Sequence, residues 1–439
     1  MTQEEGTIAR IKWAYIGGGS TRAPGTLAAF IAQGERFRGS EVVLVDLDEG
    51  RLELVAALAR RMAEAQGLEL SVRCTTDRRA ALEGCGAVLS SFRPGGFEAR
   101  HLDESIPLKH GVIGQETQGP GGLFMALRAM RVIKDLVAEM EAVCPDAVLL
   151  NYTNPVNVVA DAATRHSPVQ TLSLCEGPIV FPQELALAAD LEPDKLDAVM
   201  LGLNHACWSV RHLYDGEDFI PLVRDAFERK KGDPGVPPQA RRMLHLASVM
   251  GSVPASYFQY YYFEDEVLRE LQAKPTTRAQ DIMAEVGGYW QHYREQRHAD
   301  APQLDPARSR GGIFELELAF DVMNAIFNDL EEVWTLNVPN RGALPDLPDD
   351  LVVEVPALVN KYGATPLAAG RLPVPVRGLV SALGAYQRLA ADAAWDGGRL
   401  EAVRALASHP LVLSLPLAER LYDEMVHAQR DWLPERYVT

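Results

Sequence analysis

Cysteine is scarce in this chain, with five in 439 residues: Cys74, Cys85, Cys144, Cys175 and Cys207. They are odd in number, scattered, and form no Cys-x-x-Cys pair, which argues against a disulfide framework and fits a reducing cytoplasm. Positive charge is also short. Lys and Arg number 43 against 60 Asp and Glu, a formal net charge of -17. That balance excludes broad nucleic-acid affinity, though not a local basic pocket for an anionic cofactor. No charge-free apolar run reaches the ~18 residues of a membrane span. The opening stretch MTQEEGTIAR is polar, so no signal peptide and a cytoplasmic location are expected. There is neither a repeat nor a low-complexity linker, which implies closely packed domains with a site between them.

What is present is ordinary globular material, 47% hydrophobic and 23% charged, and the length suggests roughly two or three domains. Residues 11–16, 42–45, 87–92 and 147–150 read as short buried strands. They alternate with helical periods at 52–65 and 126–143. This alternation predicts an α/β fold whose N-terminal domain, residues 1–200, is Rossmann-like and doubly wound. Residues 201–439 read as a mixed, largely helical α+β domain for substrate, metal and oligomerisation. Its helical patterns cover 218–250, 259–272, 280–297, 315–330 and 377–433, with one strand at 352–359. The turn-rich stretch 337–350 is expected to be an ordered loop.

The first predicted strand runs into Gly17-Gly18-Gly19-Ser20 and then an apolar helix. Glycines at that junction let a pyrophosphate approach the backbone at a helix N-terminus. The loop is not a full G-x-G-x-x-G, because Arg22 holds the third glycine's place. Asp46 ends the second strand, where a carboxylate takes both ribose hydroxyls of NAD and repels a 2'-phosphate. Asp48 is the alternative in register. Further on, Cys175 and His205 follow the apolar segments TLSL and MLGLN. A thiolate and an imidazole suit a borderline or soft divalent ion. Thirty residues apart, they make no metal motif by themselves, and a buried thiol with a hydrogen-bonded structural histidine is the default reading. Cys207, two residues on, is read as facing the same side of a strand as His205 and remains a third candidate.

An ordered series of motifs extends these readings over nearly the whole chain: IGGGSTRAPG at 16–25, DLDEGRL at 46–52, TTDRRAAL at 75–82, SFRPGGFEAR at 91–100 and IPLKHGVIGQETQGPGG at 106–122. NYTNPVN follows at 151–157, LCEGP at 174–178, GLNH at 202–205, PASYFQYYY at 254–262, RGG at 310–312 and NVPNRGALPDLPDDLVVEVP at 337–356. In these the chain resembles glycoside hydrolase family 4, the NAD- and divalent-metal-dependent glycosidases, and above all its 6-phospho-β-glucosidase branch. The resemblance implies Cys175 and His205 as ligands of a divalent metal, usually manganese. It implies Tyr257 as the base and Glu116 as the acid assisting the leaving group. NAD falls to Gly17, Gly18, Gly19, Ser20, Asp46, Thr76 and Arg93. The substrate falls to Arg93, Asn154, Glu176, Gln259 and Arg310.

The chemistry so implied is a redox-assisted elimination, an exception to the two-carboxylate rule of glycosidases. NAD takes a hydride from C3 of the sugar, and the ketone, polarised by the metal, acidifies the C2 proton. A base removes it, the C1 substituent leaves, water adds, and the hydride returns. The partner is a small glycoside, and a homodimer or homotetramer is expected. Two departures bear on the sugar. The branch usually carries arginine where Gln259 stands, and Asn-Val-Pro where Glu176-Gly177-Pro178 stand. If both face the pocket they disfavour a phosphate, unless Arg308, Arg310 and Lys109 compensate. The same mechanism on an unphosphorylated hexoside or uronide is the second reading, and an NAD-dependent 2-hydroxy acid dehydrogenase is the third.

Overall fold

A computed structural model describes residues 8–310 and 316–438; Gly311 and Gly312 of the RGG motif lie outside the described residues. Five short strands are apolar enough to be buried on both faces: β1 (Lys12–Ile16), β2 (Ser40–Val45), β4 (Ala87–Ser90), β5 (Val148–Asn151) and β6 (Thr171–Ser173). With the more exposed β3 (Leu70–Thr75) they form a parallel sheet in the order 3-2-1-4-5-6. That is the doubly wound order whose switch point, between β1 and β4, opens a crevice at the strand C-termini. The glycine loop leaves β1 at this point.

The sheet does not stop there. The antiparallel strands β7 (Leu196–Leu203), β8 (Ala206–Tyr214), β9 (Glu217–Asp218), β10 (Glu332–Pro339), β11 (Val352–Asn360) and β12 (Gly363–Pro366) continue it. The path runs on as β6-β10-β11-β7-β8-β9, with β12 on β11. The expected boundary after residue 200 therefore falls inside β7. The second half holds the expected helices and more strand than the lone 352–359. The helical pattern of 218–250 is two helices, Ile220–Lys230 and Pro238–Met250, because Gly232, Pro234, Gly235, Pro237 and Pro238 cannot continue a helix between them.

The 337–350 stretch begins as the end of β10 and then forms the expected ordered loop. Buried Asn340 organises it, donating to the Leu344 and Leu347 carbonyls at 2.9 Å and accepting from the Leu344 amide at 2.7 Å. The helices Gly96–Lys109 and Gly119–Val143 are locked together by Arg128 and Asp103, both side chains fully buried, at 2.6 Å. The segment between them, which carries Glu116, is thereby held on a rigid frame. No helix among the described residues is long and apolar enough to cross a membrane.

Candidate active site

The glycine loop is built for close approach. Gly17 has φ +101°, and a Cβ there would lie 2.1 Å from the Ser91 carbonyl oxygen. A side chain on Gly19 would strike Asp46, whose Oδ2 accepts the Gly19 amide at 2.9 Å while Oδ1 accepts that of Leu47 at 2.7 Å. Asp46 thus braces the loop and keeps lone pairs for a ribose. Asp48 is not its equivalent: it caps the helix Glu49–Ala65 through the Arg51 amide. A cavity of about 830 Å³ lies over this loop, lined by Gly17, Gly19, Ser20, Asp46, Thr76, Arg93 and Arg310. Its far wall is Met283, Val286 and Trp290 from the helix Arg278–Arg297, so the second half of the chain closes the crevice of the first.

At one end of the cavity arginines converge. The Glu116 carboxylate pairs with Arg93 at 2.5 Å and Arg100 at 3.2 Å. Burial alone would raise its pKa, but Arg93, Arg100, Arg22 and Arg310 outweigh that and hold it at about 2. Arg100 is shared with a second buried carboxylate, Glu104, at 2.7 Å. Burial, with Arg22 and Arg93 close by, pushes Arg310 down to about 9. This corrects the role expected for Glu116. A carboxyl kept ionised by arginines accepts hydrogen bonds and has no proton to give a leaving group.

Cys175 and His205 arrive from opposite sides of the sheet's middle. Cys175 follows β6, and its sulfur accepts the Gly177 amide at 3.3 Å. His205 sits at the tip of the β7–β8 hairpin with φ +60°. Asn204 joins them, since its side chain hydrogen-bonds the Cys175 sulfur and donates to buried Glu354 at 3.1 Å. Burial lowers the His205 pKa to about 4, which keeps the imidazole neutral, the form that binds metals. The Tyr257 ring stacks on His205, centroids 3.9 Å apart and planes within 6°.

Burial raises the Tyr257 phenol, and Cys175 and Glu116 raise it further. Cys207 is not a third ligand candidate. His205 is a turn residue, so strand alternation does not apply, and the Cys207 thiol hydrogen-bonds Glu354 behind the pair. Among the described residues no three His, Cys, Asp or Glu side chains gather to hold a metal. The cysteine and histidine fit an ion completed by neutral oxygens. The Asn154 Oδ1 is buried with no hydrogen-bond partner and is a candidate for such an oxygen.

Gln259 and Glu176 prove to be engaged. Gln259 is buried, and its Oε1 accepts from Arg242, itself paired with Glu266 and Glu270. Glu176 accepts the Tyr152 hydroxyl at 2.7 Å. Arg308 and Lys109 pair with Glu295 and Glu424 on the surface and leave the site to other cations. Those cations include Arg22 and Arg100, which sequence reasoning did not single out. Their signal was present: Arg22 stands where the loop drops its third glycine, and Arg100 lies in the same SFRPGGFEAR motif as Arg93, about one turn into the helix Gly96–Lys109.

Comparison with known proteins shows the family. The model of the family 4 glycosyl hydrolases matches residues 12–191, and that of the family 4 glycosyl hydrolase C-terminal domain matches residues 200–412. The chain belongs to glycoside hydrolase family 4. The 2-hydroxy acid dehydrogenase reading is set aside by this membership. A probable 6-phospho-β-glucosidase of Bacillus subtilis is 36% identical over 97% of this chain and 98% of its own. A phospho-α-glucosidase of Clostridium acetobutylicum is 29% identical over 96% and 98%. The solved 6-phospho-β-glucosidase of Thermotoga maritima, with manganese, NAD+ and glucose-6-phosphate, superposes with a TM-score of 0.82. It is 26% identical and covers 96% of this chain and 99% of that one. The family 4 relatives thus include enzymes of both anomeric preferences.

Proposed function

We propose that this chain hydrolyses 6-phospho-β-glucosides, using NAD and a manganese-type divalent ion, by oxidation at C3, proton removal at C2 and elimination at C1. The observation that carries the reading is the Tyr257 ring lying flat on His205 with Cys175 and Glu116 as neighbours. When bound, NAD would supply a hydride acceptor and donor, and the divalent ion would supply Lewis acidity.

The chain's own residues do the rest. The glycine loop and Asp46 would hold the cofactor in the crevice, while Cys175, His205 and Asn154 would offer sulfur, nitrogen and oxygen to the ion. Tyr257 would act as the phenolate, the form a bound cation nearby would favour, and in that form take the C2 proton. Glu116 gathers the arginines. Arg93 and Arg310, which both line the cavity, support an anionic sugar in addition to the cofactor pyrophosphate. Gln259 does not oppose this, because its side chain is buried against Arg242.

Paired p-nitrophenyl glycosides test the reading, assayed with NAD, Mn2+ and a thiol: β-glucoside against its 6-phosphate, and the α pair beside them. Charge-assisted hydrogen bonds contribute about 1.5–3 kcal/mol each, so kcat/KM is expected to favour the phosphorylated β-glucoside by ~10–150-fold or more. Equal or better turnover of the neutral sugar overturns the phosphate, and preference for the α pair overturns the anomer.

A further inference from the structure

His205 has two ring nitrogens, and a metal ligand must present a bare lone pair from one of them. Which nitrogen is bare is decided by a neighbour on the segment between the helices Gly96–Lys109 and Gly119–Val143. Thr117 Oγ1 lies 3.0 Å from His205 Nδ1. That contact alone leaves the donor open, because a hydroxyl both gives and accepts. A second contact resolves it.

Thr117 Oγ1 is also 2.9 Å from Gln115 Oε1. The Gln115 atom is an oxygen, because it accepts the backbone amides of Thr117 and of Gln118, the latter at 2.8 Å, and amides are obligate donors. The single Thr117 hydroxyl proton therefore goes to Gln115, and the threonine oxygen accepts from His205. Nδ1 carries the hydrogen and Nε2 is left bare.

We propose that Thr117, oriented by Gln115, is a positioning residue that fixes His205 as the Nδ1–H tautomer and so presents Nε2 to the divalent ion. With Tyr257 on its face and Thr117 on its edge, the imidazole is held in both orientation and tautomer before any ion arrives. Partners of this kind to ligating histidines are worth about 10–100-fold in metal affinity. The same short loop serves the other side of the site, since Glu116, between these two residues, holds Arg93 and Arg100. The proposal rests on His205 and Cys175 being the metal ligands.

The test is Mn2+ affinity, read from the electron paramagnetic resonance signal of free Mn2+ as it is titrated with the full-length protein and NAD. Thr117→Val, which keeps the shape and loses the hydroxyl, is expected to bind Mn2+ ~10–100-fold more weakly. Thr117→Ser is expected to restore binding, and NAD affinity should be unchanged in both. Nitrogen-15 histidine spectra of the metal-free wild type give an independent reading, with the His205 signal assigned by its loss in His205→Asn. They should show a protonated Nδ1.

Wild-type Mn2+ affinity in Thr117→Val, equal weakening in Thr117→Ser, or a protonated Nε2 overturns the proposal. If Thr117→Val does not fold, the spectra of the wild type decide alone. Cys175→Ala and His205→Ala separate this from the ligand assignment. If neither weakens Mn2+ binding the assignment itself fails; if both do and Thr117→Val does not, only the role of Thr117 fails.

Discussion

Cys175→Ser is expected to lower kcat by ~10³-fold at high Mn2+, because Lewis-acid stabilisation of the developing charge is worth several kcal/mol. Serine keeps the size and a hydrogen-bonding atom, so the amide contact from Gly177 has an acceptor still. What it loses is a soft anionic ligand, since a serine hydroxyl does not ionise at neutral pH. NAD affinity is expected to stay within about threefold, because the sulfur is outside the cofactor cavity and distant sites act nearly independently. Steady-state kinetics and a cofactor titration on one preparation give both numbers. Full activity in the serine variant removes Cys175 from the chemistry and with it the metal site described above.

Tyr257→Phe is expected to cost ~10²–10⁴-fold in kcat, the usual worth of a positioned base. Phenylalanine is chosen because it keeps the ring stacked on His205 and removes the hydroxyl alone. Mn2+ and NAD binding should therefore survive, whereas Tyr257→Ala would also release the imidazole face. In the metal-free chain burial, Cys175 and Glu116 keep the phenol protonated. The loss should accordingly be invisible without Mn2+, where wild type and variant are both slow. A variant that retains wild-type kcat places the base elsewhere.

Much of the cofactor half was legible because its strands are buried on both faces and read as unbroken apolar runs. β3 escaped for the opposite reason: most of its residues are exposed or half-buried, so no run appears. The added strands β8 and β10 mix polar and apolar residues and extend a sheet whose continuation no local pattern announces. The ligand pair was legible through its motifs, but the turn that carries His205 was not. Reading it as a strand end wrongly aligned Cys207 with it.

Gln259 shows the same limit. Its position was found, but two residues on from Tyr257 a helical turn points a side chain to nearly the opposite face, toward Arg242. The arginine cluster was hardest to foresee. Its four members come from the glycine loop, the segment after β4, the helix Gly96–Lys109 and residue 310, and only the fold brings them to Glu116. That convergence is what holds the Glu116 pKa well below the usual carboxylate range.

The central claim is that the glycosidic bond breaks by elimination after proton loss from C2, rather than by displacement at C1. Turnover of the preferred p-nitrophenyl glycoside in D2O, with the sugar product analysed by proton NMR, tests it directly. The expected product carries deuterium at C2 and its original protium at C3, with no net NADH formed. A product with protium at both carbons contradicts the account.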